Sequence, residues 1–555
     1  MGTISRYLPF TTAITIAQAS TYLFSVCFAD ELVALLACPF WGILSDRLGV
    51  RIVCVLGYSI VGASLLLTVQ ARNVYPQLLL ARMMFSIGGA ATATMVTAIL
   101  PSMTGNGDQG ITNSCGDPSS TVPGPTQHRV APSLDSEVTI TPATYNSRAN
   151  PTSGRHSRIH ADTTRSSPPR LAGLVGVFTG CGALVALTLF LPLPTQFSRI
   201  DGVTQGQAVA DSFYVVAAIA LIVACSCYFG LRGLQGEEGK GWRLLLGMST
   251  SQLYHTASQL DTAADDQAGV SFLPYWRLLL DSTLIGFRDA QIGLGYLGGF
   301  VARASSVGIS LFIPLYINAF FISRGFCQGL PNDPSPELKK ECRAAYVLAA
   351  ELTGVSQLVA LLCAPLFGYL SDRYRRFNVP LLVASIFGII GYLAFALLSS
   401  PEPKDIDGRG GSPAVFLVVA LIGISQIGAI VCSLGLLGRG VLGDDGGYNL
   451  SSQLSRTPAS IRPDGASEES SPLLATPSVS RELSRNHLKG SIAGVYSLSG
   501  GAAILLLTKL GGFLFDNLST GAPFYMMAIF NSILFVIGFG AGIYHEVRTQ
   551  NRKSS

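Results

Sequence analysis

Runs of uncharged, apolar residues long enough to cross a bilayer constrain this chain more than any other feature. A helix of roughly 18 to 25 such residues spans the ~30 Å hydrocarbon layer while satisfying its own backbone hydrogen bonds. About eleven runs of that length are read near 20–45, 51–70, 76–101, 171–193, 212–231, 291–319, 346–369, 379–399, 413–437, 491–514 and 522–544. The expected fold class is therefore all-α and polytopic, with about eleven to twelve transmembrane helices. Composition agrees: 49% of the 555 residues are hydrophobic and 13% charged, against roughly 25% charged in soluble domains. That excludes a disordered chain and argues against a soluble enzyme. A net charge of +4, spread along the chain, gives no nucleic-acid footprint. Most of the eleven cysteines lie inside apolar runs as small buried hydrophobes. No CxxC or Cys/His spacing marks a metal site, and no cofactor is expected.

Basic residues in short loops orient the spans. Arg47 and Arg51 follow the first strong span, and Arg373, Arg375 and Arg376 follow the seventh, so these ends are cytosolic. Alternation then places 102–170, 232–290, 438–489 and the tail 546–555 on the same side. Segments 103–169 and 443–488 are rich in Ser, Thr and Pro, the composition of mobile tethers, and are assigned no fold.

The chain also repeats itself. Residues 31–47, ELVALLACPFWGILSDR, and 357–373, QLVALLCAPLFGYLSDR, share eleven of seventeen positions at an offset of 326. A weaker echo pairs GVFTGCGA (176–183) with GVYSLSGG (494–501). Two pseudo-symmetric six-helix bundles are therefore expected, as in transporters built from parallel repeats. Their extents are read as 1–231 and 291–545, joined by a cytosolic linker over 232–290. The offset leaves only 19 residues for the first helix, and Tyr7 to Ala19 is too short to span. The expectation is an incomplete first helix. Two other readings stay open: spans at 8–28 and 32–45, or a signal peptide ending near Ala17-Gln18-Ala19.

The stretch Gly42-Ile-Leu-Ser-Asp46-Arg47-Leu-Gly49-Val-Arg51 is similar to the cytoplasmic loop signature G-x-L-[SA]-D-R-x-G-R-R of the major facilitator superfamily, departing at Val50. The second copy, Gly368-Tyr-Leu-Ser-Asp372-Arg373, lacks the inner glycine. Physically, glycine permits close helix approach, and an aspartate suits the positive N-terminal end of a neighbouring helix. The resemblance implies that Asp46 meets the helix starting at Gly490 and Ser491, and Asp372 the one starting near Leu171. Each contact would latch one half to the other; a merely solvated loop is the alternative.

Arg82-Met-Met-Phe-Ser86-Ile-Gly88-Gly89-Ala90 resembles the superfamily's R-x-x-x-G-x-G motif, linked there to proton coupling, with Ser86 in place of a glycine. Asp30 and Glu31 are the expected acids for Arg82, near the midplane, unless the first span is 8–28, which makes them an exposed turn. Arg303 and Glu351 are a candidate second pair in the other half; a snorkelling Arg303 and a wetted Glu351 are the alternative. Gly173 and Gly182 keep the first spacing of an antiporter motif that Ala186 and Leu187 then break. Tyr316, Asn318, Gln357 and Gln426 are proposed to line the substrate cavity, on polarity alone.

Cys327 and Cys342 bracket a polar stretch on the non-cytosolic side and are read as a disulfide, with free thiols as the alternative. Glu469, Leu473 and Leu474 resemble an acidic dileucine signal for a sorting adaptor, which favours a vacuolar or endosomal membrane slightly over the plasma membrane. The resemblance implies a carrier for a small organic solute, driven by a proton gradient and similar to twelve-span drug:H⁺ antiporters. The alternatives are a vacuolar nutrient carrier and a transport-inactive sensor or scaffold.

Overall fold

In hydrocarbon the backbone N–H and C=O groups have no partner but each other, so each long apolar run closes into a helix. The computed structural model describes residues 29–104, 167–242 apart from 191, 201, 235, 236, 238 and 239, and then 275–325, 336–374, 378–404, 410–442 and 488–554. Helix α1 covers 29–48. After it come α2 (Val50–Gln70), α3 (Leu79–Thr104), α4 (Pro168–Val185) and α5 (Gln205–Gly230). The second half holds α6 (Tyr275–Arg288), α7 (Ala290–Ser323), α8 (Pro336–Arg373), α9 (Val379–Ala396), α10 (Ala414–Leu442), α11 (Lys489–Asn517) and α12 (Ala522–Ser554). No strand occurs among the described residues. Ten of these helices are long and apolar enough to cross a membrane, and α1 carries the apolar run 32–44. The protein is all-α and polytopic. The expected incomplete first helix falls on 1–28 and the tethers fall mostly on 105–166 and 443–487, all outside the described residues.

Helix α10 is the hub of the second half, packing against α4, α7, α8 and α9. Its inner face is built for close approach: a Cβ on Gly428 would strike Ala384 and Phe367. One apolar cluster gathers Phe312, Tyr316, Phe395 and Phe524; a second gathers Phe367, Ile427, Leu437 and Ile492. A third, around Trp41, Val53 and Met95, holds α1, α2 and α3 together. Large apolar side chains such as Phe178, Leu362 and Val536 stay exposed, as expected of surfaces that meet lipid.

Two turns and one extra helix fix the inner ends of the bundle. The sharp turn from α1 to α2 needs Gly49, whose φ of 91° is a conformation that favours glycine. The second copy turns instead through Asn378, with φ of 47°, a residue that tolerates this region better than most. The linker, read as a plain polar stretch, contains the 14-residue helix α6. Its Leu278 and Ile285 pack against the second apolar cluster, and its Ser282 carbonyl accepts a hydrogen bond from the Tyr296 hydroxyl at 3.1 Å.

Candidate functional site

Helices α1 and α11 run along one another in opposite directions. At the inner end, past the apolar run of α1, both carboxylate oxygens of Asp46 are taken by the start of α11. The Gly490 N–H donates to one oxygen at 2.7 Å; the Ser491 N–H and hydroxyl donate to the other at 2.7 and 2.6 Å. These are first-turn donors that no helical carbonyl can use, and the helix dipole favours an anion there. Burial pushes the Asp46 carboxyl up to about 6, while the bonds from Ser491 and Gly490 pull against that rise. One turn on, a Cβ at Gly42 would lie 2.6 Å from the Gly490 carbonyl oxygen and 2.7 Å from Gly494 Cα. Leu35 meets Gly501 further along. At the far end the Thr508 hydroxyl donates to Glu31 at 3.0 Å, with Lys509 at 4.0 Å.

A mirrored seam joins α4 to α8. Gly173 and Gly368 face each other backbone to backbone, Gly176 lies over Ala364, and Gly180 lies over Leu361. The weak echo between 176–183 and 494–501 thus falls on the two helices that form these seams. The latch residue is held differently, however. Helix α4 opens with Pro168 and Pro169, which have no N–H to offer, and Asp372 pairs with the Arg170 guanidinium at 2.8 Å. That arginine side chain is 53% exposed. Arg439, buried on α10, donates to the Ser371 carbonyl and to Asn378 across the turn. Arg51 lies 4.2 Å over the Tyr228 ring and donates to its carbonyl; the Arg47 carbonyl accepts from the Gly241 N–H. Arg373 is exposed.

Sequence reasoning missed Glu237. It accepts from the Val50 N–H at 2.6 Å, at the start of α2, and pairs with Lys489 at 2.6 Å and Lys240 at 3.2 Å. Lys489, the first residue of α11, also donates to Ser102 at the end of α3. One linker carboxylate therefore holds both halves at the inner rim. Nothing local announces it, because Glu237 and Val50 are 187 positions apart. Removing it by Glu237→Ala leaves the buried Lys489 without its closest anion, at an expected cost of ~3 to 5 kcal/mol. The thermal midpoint of the purified protein should fall by several degrees, and Glu237→Leu with Lys489→Met should recover part of that loss; no fall with Glu237→Ala removes the role.

At the other end Asp30 takes Arg82 at 3.2 Å, together with the Ser86 hydroxyl. Asp30 and Glu31 are fifteen or sixteen residues from Asp46, about 22 to 24 Å at 1.5 Å per residue. Arg303 and Glu351 do not pair; Arg303 lies along Gly500, and Glu351 is about 32 Å along α8 from Asp372. The depths differ by most of a leaflet, which explains the failure. Tyr316 is also corrected: it is 7% exposed, donates to the Leu398 carbonyl at 2.9 Å and stacks among Phe395 and Phe524 as core. Gln357 donates to Gln426, which donates to Ser306, while Asn318 is half-buried. Cys327, the side chain of Cys342, and Glu469, Leu473 and Leu474 lie outside the described residues. No metal-ligand cluster occurs among the described residues.

Among known proteins, the chain is similar to the solved structure of a Major Facilitator Superfamily transporter, FucP, in the outward conformation: 12% identity, TM-score 0.49, covering 94% of this chain and 90% of that one. It is also similar to the proton:xylose symporter XylE bound to 6-bromo-6-deoxy-D-glucose, at 10% identity and TM-score 0.49, covering 94% and 86%. No curated protein matches. The sequence pattern of the Major Facilitator Superfamily matches residues 3–115 and 158–444, which include both loop signatures and the α4–α8 seam, and the chain belongs to that superfamily of membrane transporters.

Proposed function

We propose that this protein moves a small organic solute across its membrane by alternating access, exchanging it outward for protons. The observation that carries the reading is the Asp46 contact, in which a carboxylate of the first half closes on the N-terminus of a helix of the second. Such a contact exists in one conformation and must break in the other, so it sets the balance between them. Coupling is assigned to the neighbours Asp30 and Glu31. Asp30 is held by Arg82 within its own half, and Glu31 by Thr508 and Lys509 of the other half. Protonation of Glu31 would weaken its hold on Lys509 and so bias the outer end of the same seam. Lys509 lies in a π turn, Leu507–Gly511, a local widening often found where helices carry function.

The test is solute flux in proteoliposomes under an imposed pH gradient, with wild type and Glu31→Gln. The expected result is gradient-driven flux that Glu31→Gln reduces at least tenfold while solute exchange without a gradient persists. Flux indifferent to the gradient removes the coupling, and flux of no solute favours a sensor or scaffold.

A further inference from the structure

We propose that the transported solute carries a carboxylate, and that Arg303 binds it in the middle of the membrane; this rests on the carrier reading above and names its substrate class. Arg303 lies with its side chain against Gly500 of α11 and close enough to Tyr496 and to Cys38 of α1 to act on both electrostatically. Arg303 therefore stands where the two halves meet. Gly500 is ten residues along α11 from the Asp46 latch at Gly490, about 15 Å, which is half the depth of the hydrocarbon layer.

An arginine at that depth needs an anion or water, and among the described residues it has neither hydrogen bond nor ion pair. The carboxylates of the spans lie elsewhere. Asp46 and Asp372 mark the inner rim; Asp30 and Glu31 are already held by Arg82 and by Thr508 with Lys509. Glu351 is twenty-one residues along α8 from Asp372, about 32 Å, and Asp211 lies nineteen residues from the inner end of α5, about 28 Å away. Residues 1–28 contain no Asp or Glu. The side chain is nevertheless exposed. One turn beyond it on α7, Ser306 accepts from Gln426, which is joined to Gln357. A cation beside uncharged donors and acceptors, with no anion of its own among the described residues, is complementary to a solute with one acidic group and a polar body.

The experiment uses the full chain in lipid nanodiscs and matched pairs of probes, benzoate against benzamide and succinate against succinamide, with binding read by calorimetry. In wild type at least one acid is expected to bind tenfold or more tighter than its amide. Arg303→Gln should bring the two within twofold, and Arg303→Lys should keep part of the preference, with unchanged size-exclusion profiles showing that the variants fold. An amide that binds as well as its acid, binding of neither acid, or a preference that survives Arg303→Gln overturns the proposal. Flux of the same probes separates the two readings: transported amides without acids would leave the carrier standing and remove the anion site. Bound acids that never move would do the reverse.

Discussion

Replacing Asp46 by asparagine is expected to open the inner end of the protein. The carboxylate accepts three hydrogen bonds from Gly490 and Ser491; an amide offers one oxygen and turns an NH₂ group toward the remaining donors. Bonds to a charged group contribute roughly 1.5 to 3 kcal/mol each, so losing the weaker part of this set shifts the closed state by about 3 kcal/mol, on the order of 100-fold. A cysteine placed at Ala493, which is 1% exposed in the seam, reports the change in an otherwise cysteine-free background. Maleimide labelling from the inner side should be slow in the parent and faster by tens of fold with Asp46→Asn. Asp372→Asn should have a smaller effect, within about fivefold, because its partner Arg170 is half exposed and the pair is screened by solvent. Equal labelling of parent and Asp46→Asn, or equal effects of the two aspartates, would sink the latch.

Gly42→Val is expected to be the most damaging single change in the seam. Its Cβ would sit 2.6 Å from the Gly490 carbonyl oxygen and 2.7 Å from Gly494 Cα, both backbone atoms that no rotamer change can move. The helices must separate, at a cost of ~3 kcal/mol or more, and flux should drop at least 50-fold. Gly182→Ala supplies the contrast, since no atom lies within 4 Å of the added carbon, and its flux should stay within twofold of the parent. Flux retained by Gly42→Val would mean that α1 and α11 need not touch during the cycle.

The repeat and the loop signature named Asp46 and Asp372, because both are local patterns copied within one chain; the helices expected to receive them came from the resemblance to the superfamily. The spans were legible for the same reason: hydrophobic length is a property of consecutive residues. Glu237 was not legible, since its role comes from Val50, Lys489 and Ser102, which three separate helix ends bring to it. Polarity also misled at Tyr316, a tyrosine whose hydroxyl needed only one backbone carbonyl to be content in the core.

The order of residues was thus enough to establish a polytopic, all-helical protein carrying a signature that recurs at an offset of 326. Which of the expected charges meet was decided by packing: Arg82, for which Asp30 and Glu31 were both expected, takes Asp30. Packing also gave Glu31 to Lys509, set the two aspartates against different partners, and left Arg303 beside Gly500 with no ion pair among the described residues. Helix formation is settled by neighbours in the chain, whereas the depth and rotation of a side chain are settled by how whole helices pack, which no short stretch of sequence records.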